Sequence, residues 1–145
     1  MSIAIDSVTV NNKALINIIT EKDHSEKELL AFVDSIAGFA YFGEVQVGFM
    51  SAIPVSETGV KDNSPTTLLL ENFAILDSYK DLGVEQKMLD WVLSKCPERH
   101  LKQCCIAVNE DDGKYLVDVA KEMGFKESNL QFKNIKTGMV LCKAF

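Results

Sequence analysis

The sequence contains few of the side chains from which metal sites and histidine-based catalytic sites are built. It has two histidines and four cysteines, and no two cysteines are spaced as C-x-x-C. Cys104 and Cys105 are adjacent, and adjacent strand residues point to opposite faces, so the two cannot easily share one metal ion. We therefore expect no metal site. We also expect the cysteines to be small buried residues in a reducing compartment.

Long apolar runs and basic segments are also absent. No run approaches the roughly 18 residues of a membrane-spanning helix, and the N-terminus lacks the basic and apolar blocks of a signal peptide. The formal net charge is −6, which argues against nucleic acid or an anionic membrane as the main partner. We expect a cytoplasmic protein. Its 145 residues predict one domain spanning residues 1–145.

The apolar residues that are present first follow a strand pattern and then two short helical patterns. A strand is predicted over residues 3–10, and helices are predicted to begin near Asn11 and Ser25. Residues 39–50 predict a hairpin with Gly43 and Glu44 at its turn. The polar stretch over residues 56–65 predicts a loop, and residues 67–76 predict a buried strand.

The second half of the chain alternates between helices and strands. Residues 82–96 predict an amphipathic helix closed by Pro97, on which Trp91 is either half-buried or an exposed anchor for a partner. A strand over 104–108, a helix over 115–123 capped by Gly124, and two short strands follow. The order predicts an α+β fold, with a mixed central sheet between helical layers in an α/β/α arrangement.

Two segments carry a resemblance to a known superfamily. Residues 70–89 read LENFAILDSYKDLGVEQKML, and residues 120–125 read AKEMGF. They resemble the fourth strand, coenzyme A loop and following helix, and the end of the last helix, of the GNAT acetyltransferases. Ala40-Tyr41-Phe42 and Val47-Gly48 extend the resemblance to the catalytic subunit of the NatE-type N-terminal acetyltransferases. The resemblance covers residues 3–141 and implies the GNAT fold.

The resemblance also implies where acetyl-CoA would bind. A helix N-terminus offers unsatisfied N–H groups and a partial positive charge, and a pyrophosphate can bind there if the backbone can approach closely. The family sequence for this loop is Q/R-x-x-G-x-G/A. The residues implied here are Phe73, Ala74, Ile75, Lys80, Asp81, Leu82, Gly83, Val84, Glu85 and Gln86.

Two residues of this loop depart from the family pattern. Glu85 stands where the family has a small residue, and Asp81 replaces a neighbour that is usually basic. At about 5 Å and an effective dielectric constant of about 20, each carboxylate would repel a bound anion by roughly 3 kcal/mol before screening. We expect acetyl-CoA to bind weakly or not at all. Even if Glu85 only complements the helix dipole, it would fill the phosphate site.

The positions that the resemblance assigns to catalysis hold no acid or base. Leu69 falls at the family's tyrosine, and Ala107 falls at its histidine, within one residue. Ile106 and Val108 do not titrate either, so no side chain there can act as a general base. Ala120 stands at the tyrosine near the coenzyme thiol, and the F-P-V-x-Y substrate loop has no counterpart. We assign no catalytic residue and expect His100 to be a surface residue.

The sequence therefore predicts a catalytically impaired NatE-type homologue, a pseudoenzyme. The resemblance implies a subunit docked on the NatA acetyltransferase complex near the ribosome, without direct contact with nucleic acid or membrane. One alternative is an active N-terminal acetyltransferase that uses acetyl-CoA, because much of the coenzyme contact is made by backbone. Another is an acetyltransferase acting on a small amine.

Overall fold

The computed structural model describes residues 3–7, 16–17, 25, 27, 36–56, 66–108, 113–129 and 139–145. At position 71 and at 113–115 only the backbone is described. Ile16, Asn17 and Lys27 are helical, as predicted for the two N-terminal helices. The rest of those helices, the end of the predicted first strand, and the loop over 57–65 lie outside the described residues.

One mixed sheet contains all seven strands of the described residues. They are β1 (Ile3–Ser7), β2 (Ile36–Phe42), β3 (Val45–Val55), β4 (Thr67–Ile75), β5 (Gln103–Val108), β6 (Lys126–Ser128) and β7 (Met139–Ala144). Their spatial order is β1-β2-β3-β4-β5-β7-β6. Strands β1 to β4 are antiparallel to their neighbours, β4 and β5 are parallel, and β7 is antiparallel to β5 and β6. The predicted mixed sheet and its hairpin are confirmed.

Two helices of the described residues cover one face of this sheet. Helix α1 (Val84–Glu98) connects β4 to β5, and helix α2 (Gly113–Glu122) connects β5 to β6. Met88, Leu89 and Val92 of α1 are fully buried, and burial of each such side chain is worth about 1.5–3 kcal/mol. Neither helix is long and apolar enough to cross a membrane.

The helix ends agree with the sequence expectations, with one small difference. Helix α1 continues one residue past Pro97 to Glu98, so Pro97 lies in its last turn and does not close it. Gly124 follows α2 with φ of 97°, the left-handed conformation expected of a C-terminal cap. Trp91 is half-buried, with its ring against Gly38 of β2, and the Lys95 ammonium lies 4.9 Å from the ring centroid.

The interpretation of all four cysteines as small buried residues of a reducing compartment is wrong for two of them. Cys105 of β5 and Cys142 of β7 form a disulfide, and Cys96 and Cys104 are buried and free. The sheet register causes the pairing, because Cys105 lies directly opposite Cys142 in the β5–β7 ladder. A cross-link between residues 37 positions apart stabilises the fold by about 4 kcal/mol on the chain-entropy model.

Gly48 of β3 lies in close contact with helix α1. A Cβ atom there would lie 3.0 Å from the Met88 sulfur, 3.2 Å from the Ala74 carbonyl oxygen and 3.3 Å from the Ala40 Cβ. We expect Gly48→Ala to lower the free energy of unfolding by about 1–3 kcal/mol, because two of these neighbours cannot move aside. Urea unfolding measures this, and Gln86→Ala on the exposed side of α1 serves as the control. An unchanged midpoint would contradict the close packing.

Candidate functional site

A gap between β4 and β5 defines the candidate site. The two strands pair only from Thr67 with Gln103 to Leu70 with Ile106, and beyond that β4 continues to Ile75 and β5 to Val108. On the other side of β4, the register with β3 shifts between Leu70 and Asn72. Position 71 is therefore an extra residue, a β-bulge, and bulges bend a strand away from its neighbour. The two strands therefore run side by side and then separate.

The loop after β4 leads directly to the N-terminus of α1 at this open end. The Leu76 N–H donates to the Val47 carbonyl at 2.8 Å, and a 3-10 turn follows over Asp77–Tyr79. The Tyr79 ring stacks on Phe42, with the centroids 5.6 Å apart. Gly83 caps the helix with φ of 89°, a left-handed conformation that glycine adopts without strain. The loop is thus fixed at both ends.

Glu85 turns inward, into this loop. Its side chain is 1% exposed, and its Oε1 accepts a hydrogen bond from the backbone N–H of Asp81 at 3.2 Å. It also lies in the first turn of α1, where the helix dipole stabilises a negative charge. The carboxylate thus accepts a hydrogen bond from a backbone amide of the loop. It also places a negative charge at the helix N-terminus, where the dipole favours one.

The basic residue of the loop is also engaged within the chain. Lys80 Nζ lies 2.8 Å from Asp77 Oδ1. The hydrogen bond and the charge of Lys80 lower the pKa of the Asp77 carboxyl. Asp77 is 93% exposed, so solvent screens this pair and it contributes little to stability. The Lys80 ammonium group is thus paired with a carboxylate of the same turn.

The remaining residues assigned to the coenzyme site line the loop and the bulged end of β4. Phe73 and Ile75 face helix α1, and Ala74 faces the opposite side of the sheet. Val84 is buried under the helix start, whereas Asp81, Leu82 and Gln86 are exposed. The ten residues thus lie along the end of β4, the loop and the first turn of α1, with Ala74 facing away from the helix. Their role in coenzyme binding stays a prediction.

The loop fits a diphosphate only in part. Gly83 and the first turn of α1 provide the backbone that an anion needs. The Asp81 N–H already donates to Glu85, and a buried carboxylate repels any second anion placed against the same amides. In this arrangement, the residues present do not fit the pyrophosphate of acetyl-CoA. Glu85 would have to turn outward first.

The positions expected to hold the acid and the base are filled by an apolar cluster. Leu69 and Cys105 are fully buried on the sheet face opposite α1, together with Val55 and Val140, and Ala107 packs against them. Ala120 is also fully buried. His100 is exposed in the turn after α1, as expected. Among the described residues, the side chains of this cluster can neither accept nor donate a proton.

One polar pair near the bulge was not predicted from the sequence. Asn72 Nδ2 donates to Ser51 Oγ at 2.7 Å across the β3–β4 ladder, and Ser51 is buried. Both residues are common in turns, and only the shifted register brings them opposite each other. Within the described ranges, no cluster of three or more His, Cys, Asp or Glu residues could hold a metal ion.

Comparison with known proteins gives fold matches only. No protein-family model matches the sequence, and no curated protein matches it either. A solved structure of Arabidopsis thaliana Naa50, in complex with the bisubstrate analogue CoA-Ac-MVNAL, superimposes with a TM-score of 0.76 at 18% identity and covers 100% of both chains. Ard1 from Thermoplasma volcanium gives 0.76 at 14% identity, covering 99% of this chain and 98% of that one.

A third neighbour is the PaiA N-acetyltransferase from Thermoplasma acidophilum, in complex with coenzyme A. It has a TM-score of 0.72 at 10% identity and covers 100% of both chains. The chain has the GNAT acetyltransferase fold. The GNAT neighbours thus match this sheet and its helices over nearly their whole length. At these identities the similarity shows the fold, and function must be argued from the site.

Proposed function

We propose that this chain is a GNAT-fold N-terminal acetyltransferase homologue of NatE type that has little or no acetyltransferase activity. It serves as a subunit docked on the NatA acetyltransferase complex, near the ribosome in the cytoplasm. The fold match to Naa50 and Ard1 supports the N-acetyltransferase part of this proposal. The loss of activity is argued from the site.

The apolar cluster at the catalytic positions is the observation that carries the proposal. The family resemblance assigns the acid and the base to positions 69 and 107, and here Leu69 and Ala107 pack in the apolar cluster. An amine is protonated at neutral pH and must lose a proton before it can attack an acyl group. No side chain in the cluster can take that proton, and general acid–base help is typically worth 10²–10⁴-fold in rate.

The coenzyme loop supports the same conclusion independently. Glu85 accepts the Asp81 N–H and is almost completely shielded from solvent. We infer that acetyl-CoA binds weakly, because its pyrophosphate competes with a carboxylate that the chain supplies itself. A protein of this fold without coenzyme or base can still present its surface to a partner.

A second candidate function is an active acetyl-CoA-dependent N-terminal acetyltransferase. Three features favour it: the separated strands, the bulge and the left-handed Gly83 are all in place. If Glu85 turns outward, these features leave a backbone site open at the helix N-terminus. Acetyl-CoA titration and acetylation assays therefore distinguish the two candidates.

The subunit role makes a separate prediction. We expect the full chain to co-purify with the large scaffold subunit of a NatA-type complex after co-expression, and to elute with it in gel filtration. A Naa50-type enzyme of the same fold serves as the positive control, and an unrelated GNAT-fold protein as the negative control. Elution of the chain on its own would contradict docking. It would leave the conclusions on coenzyme and catalysis intact, because those rest on Glu85, Leu69 and Ala107.

A further inference from the structure

The four cysteines form two contacting pairs on opposite faces of strand β5. Cys105 is bonded to Cys142 on the face of the apolar cluster. Cys104, the next residue along the strand, points to the helical face, where its thiol is hydrogen-bonded to Cys96 at the end of α1. This contact lowers the pKa of Cys96 and raises the pKa of Cys104. One pair is oxidised and the other is reduced.

The sheet keeps the two pairs separate. Residues 104 and 105 point in opposite directions as long as β5 stays in the sheet, so neither free thiol can reach the disulfide. Internal scrambling would require the strand to leave its ladder. Any exchange at the disulfide in the folded protein must therefore come from an external thiol.

Access to the disulfide is one-sided. Cys105 is fully buried, whereas Cys142 is partly exposed on the last strand in sequence. An attacking thiolate must approach in line with the S–S bond, and only the Cys142 sulfur lies on a residue that solvent reaches. Cys105 is then the leaving group. Its thiolate forms in an apolar cluster, which disfavours the charge and favours a rapid return or the uptake of a proton.

The fold does not need the disulfide to hold β5 against β7. The two strands pair in register from Gln103 with Ala144 to Val108 with Met139, so breaking the cross-link leaves the ladder in place. The two sulfurs then stay opposite each other, with Cα atoms 4.1 Å apart. Such an arrangement allows the bond to open and close again within a folded chain.

We propose that Cys105 and Cys142 form a reversible thiol–disulfide exchange site for low-molecular-weight thiols. In the first step, a thiolate RS⁻ forms RS–S–Cys142 and releases Cys105 as a thiolate, which takes up a proton. In the second step, another RS⁻ attacks the mixed disulfide, so RS–SR leaves and Cys142 takes up a proton. Two electrons and two protons reach the protein, and two thiols become one disulfide. Oxidised glutathione reverses both steps.

The exchange site is coupled to the gap between β4 and β5. Cys105 pairs in register with Leu69, one position before the last pair of those strands. The cross-link therefore ties the wall of the gap to β7. Reduction should loosen the end of β5 over residues 106–108, where Ile106 makes the last pair with β4 and the two residues after it pair with β7 alone. This consequence is independent of any acetyltransferase activity.

The test equilibrates the folded chain in buffers of reduced and oxidised glutathione, followed by alkylation in denaturant and mass spectrometry. We expect two alkylated residues per chain in oxidising buffer and four in reducing buffer, with Cys105 and Cys142 accounting for the change. Circular dichroism should show a folded protein throughout. Hydrogen exchange of residues 106–108 should speed up on reduction, whereas exchange in β2 should not.

Matched variants locate the exchange site. Cys142→Ser should abolish the change in the number of alkylated thiols, and Cys96→Ser should leave that change intact. If Cys142→Ser does not fold, mass spectrometry of the unmodified chain identifies which cysteines become alkylated on reduction and replaces this variant. Four free thiols in every buffer would overturn the proposal, as would a disulfide that opens only when the chain unfolds. Unchanged hydrogen exchange at residues 106–108 would overturn the coupling to the gap.

Discussion

Replacing Glu85 by alanine together with Asp81 by asparagine should create measurable acetyl-CoA binding in a chain that otherwise binds it weakly or not at all. The inward carboxylate of Glu85 blocks an amide of the loop, and alanine restores the small residue of the family pattern while keeping the helix start. Asparagine is the better choice at position 81, because Asp81 has φ of 65° and Asn tolerates that conformation. Calorimetry should show Kd falling by roughly tenfold or more for each charge removed, about 1.4 kcal/mol after screening.

Three controls separate the causes of this change. Glu85→Gln keeps the bulk and removes the charge, so it should recover only part of the effect. Glu98→Ala removes one charge at the other end of α1 and should change nothing. Thermal unfolding without ligand should show that the double variant loses up to about 1 kcal/mol, because a carboxylate leaves the helix N-terminus. Tight binding by the unmodified chain would show that Glu85 turns outward in solution.

The unmodified chain should acetylate Met-starting peptides only at the background rate. Leu69, Ala107 and the other described side chains of the apolar cluster cannot accept a proton, so we expect the chain to lack the 10²–10⁴-fold help of general acid–base catalysis. The double variant at positions 81 and 85 should bind acetyl-CoA and still fail to turn over. Both measurements use radiolabelled acetyl-CoA, with a NatE-type enzyme of the same fold as the positive control.

Robust turnover that scales with protein concentration would refute the loss of activity. A His100→Ala variant would then be informative, because His100 is exposed and is the nearer of the two histidines to β5 in sequence. Turnover that survives this change would point to water held by backbone groups in the gap. In either case, the docking prediction would be unaffected.

Much of the fold follows from local patterns in the sequence. Apolar alternation predicted the hairpin of β2 and β3, and helical spacing with Gly124 predicted α1 and α2 to within a few residues. The resemblance over residues 70–89 placed the loop after β4 and the helix that follows it. These features are determined by residues that are close together along the chain, so they can be predicted from a single sequence. The absence of a base at Leu69 and Ala107 is likewise visible without coordinates.

Other features depend on contacts between distant segments, and only the tertiary structure determined them. The disulfide required β7 to lie beside β5 in one register, and a shift of one residue would have turned Cys142 to the other face. The sequence placed Glu85 in the first turn of α1, but its inward rotamer and its bond to Asp81 depend on how the loop folds back over the helix start. The bulge at position 71 is set by β3 and β4 together. The sequence thus determined which groups are present, and the strand register and the loop conformation determined which of them meet.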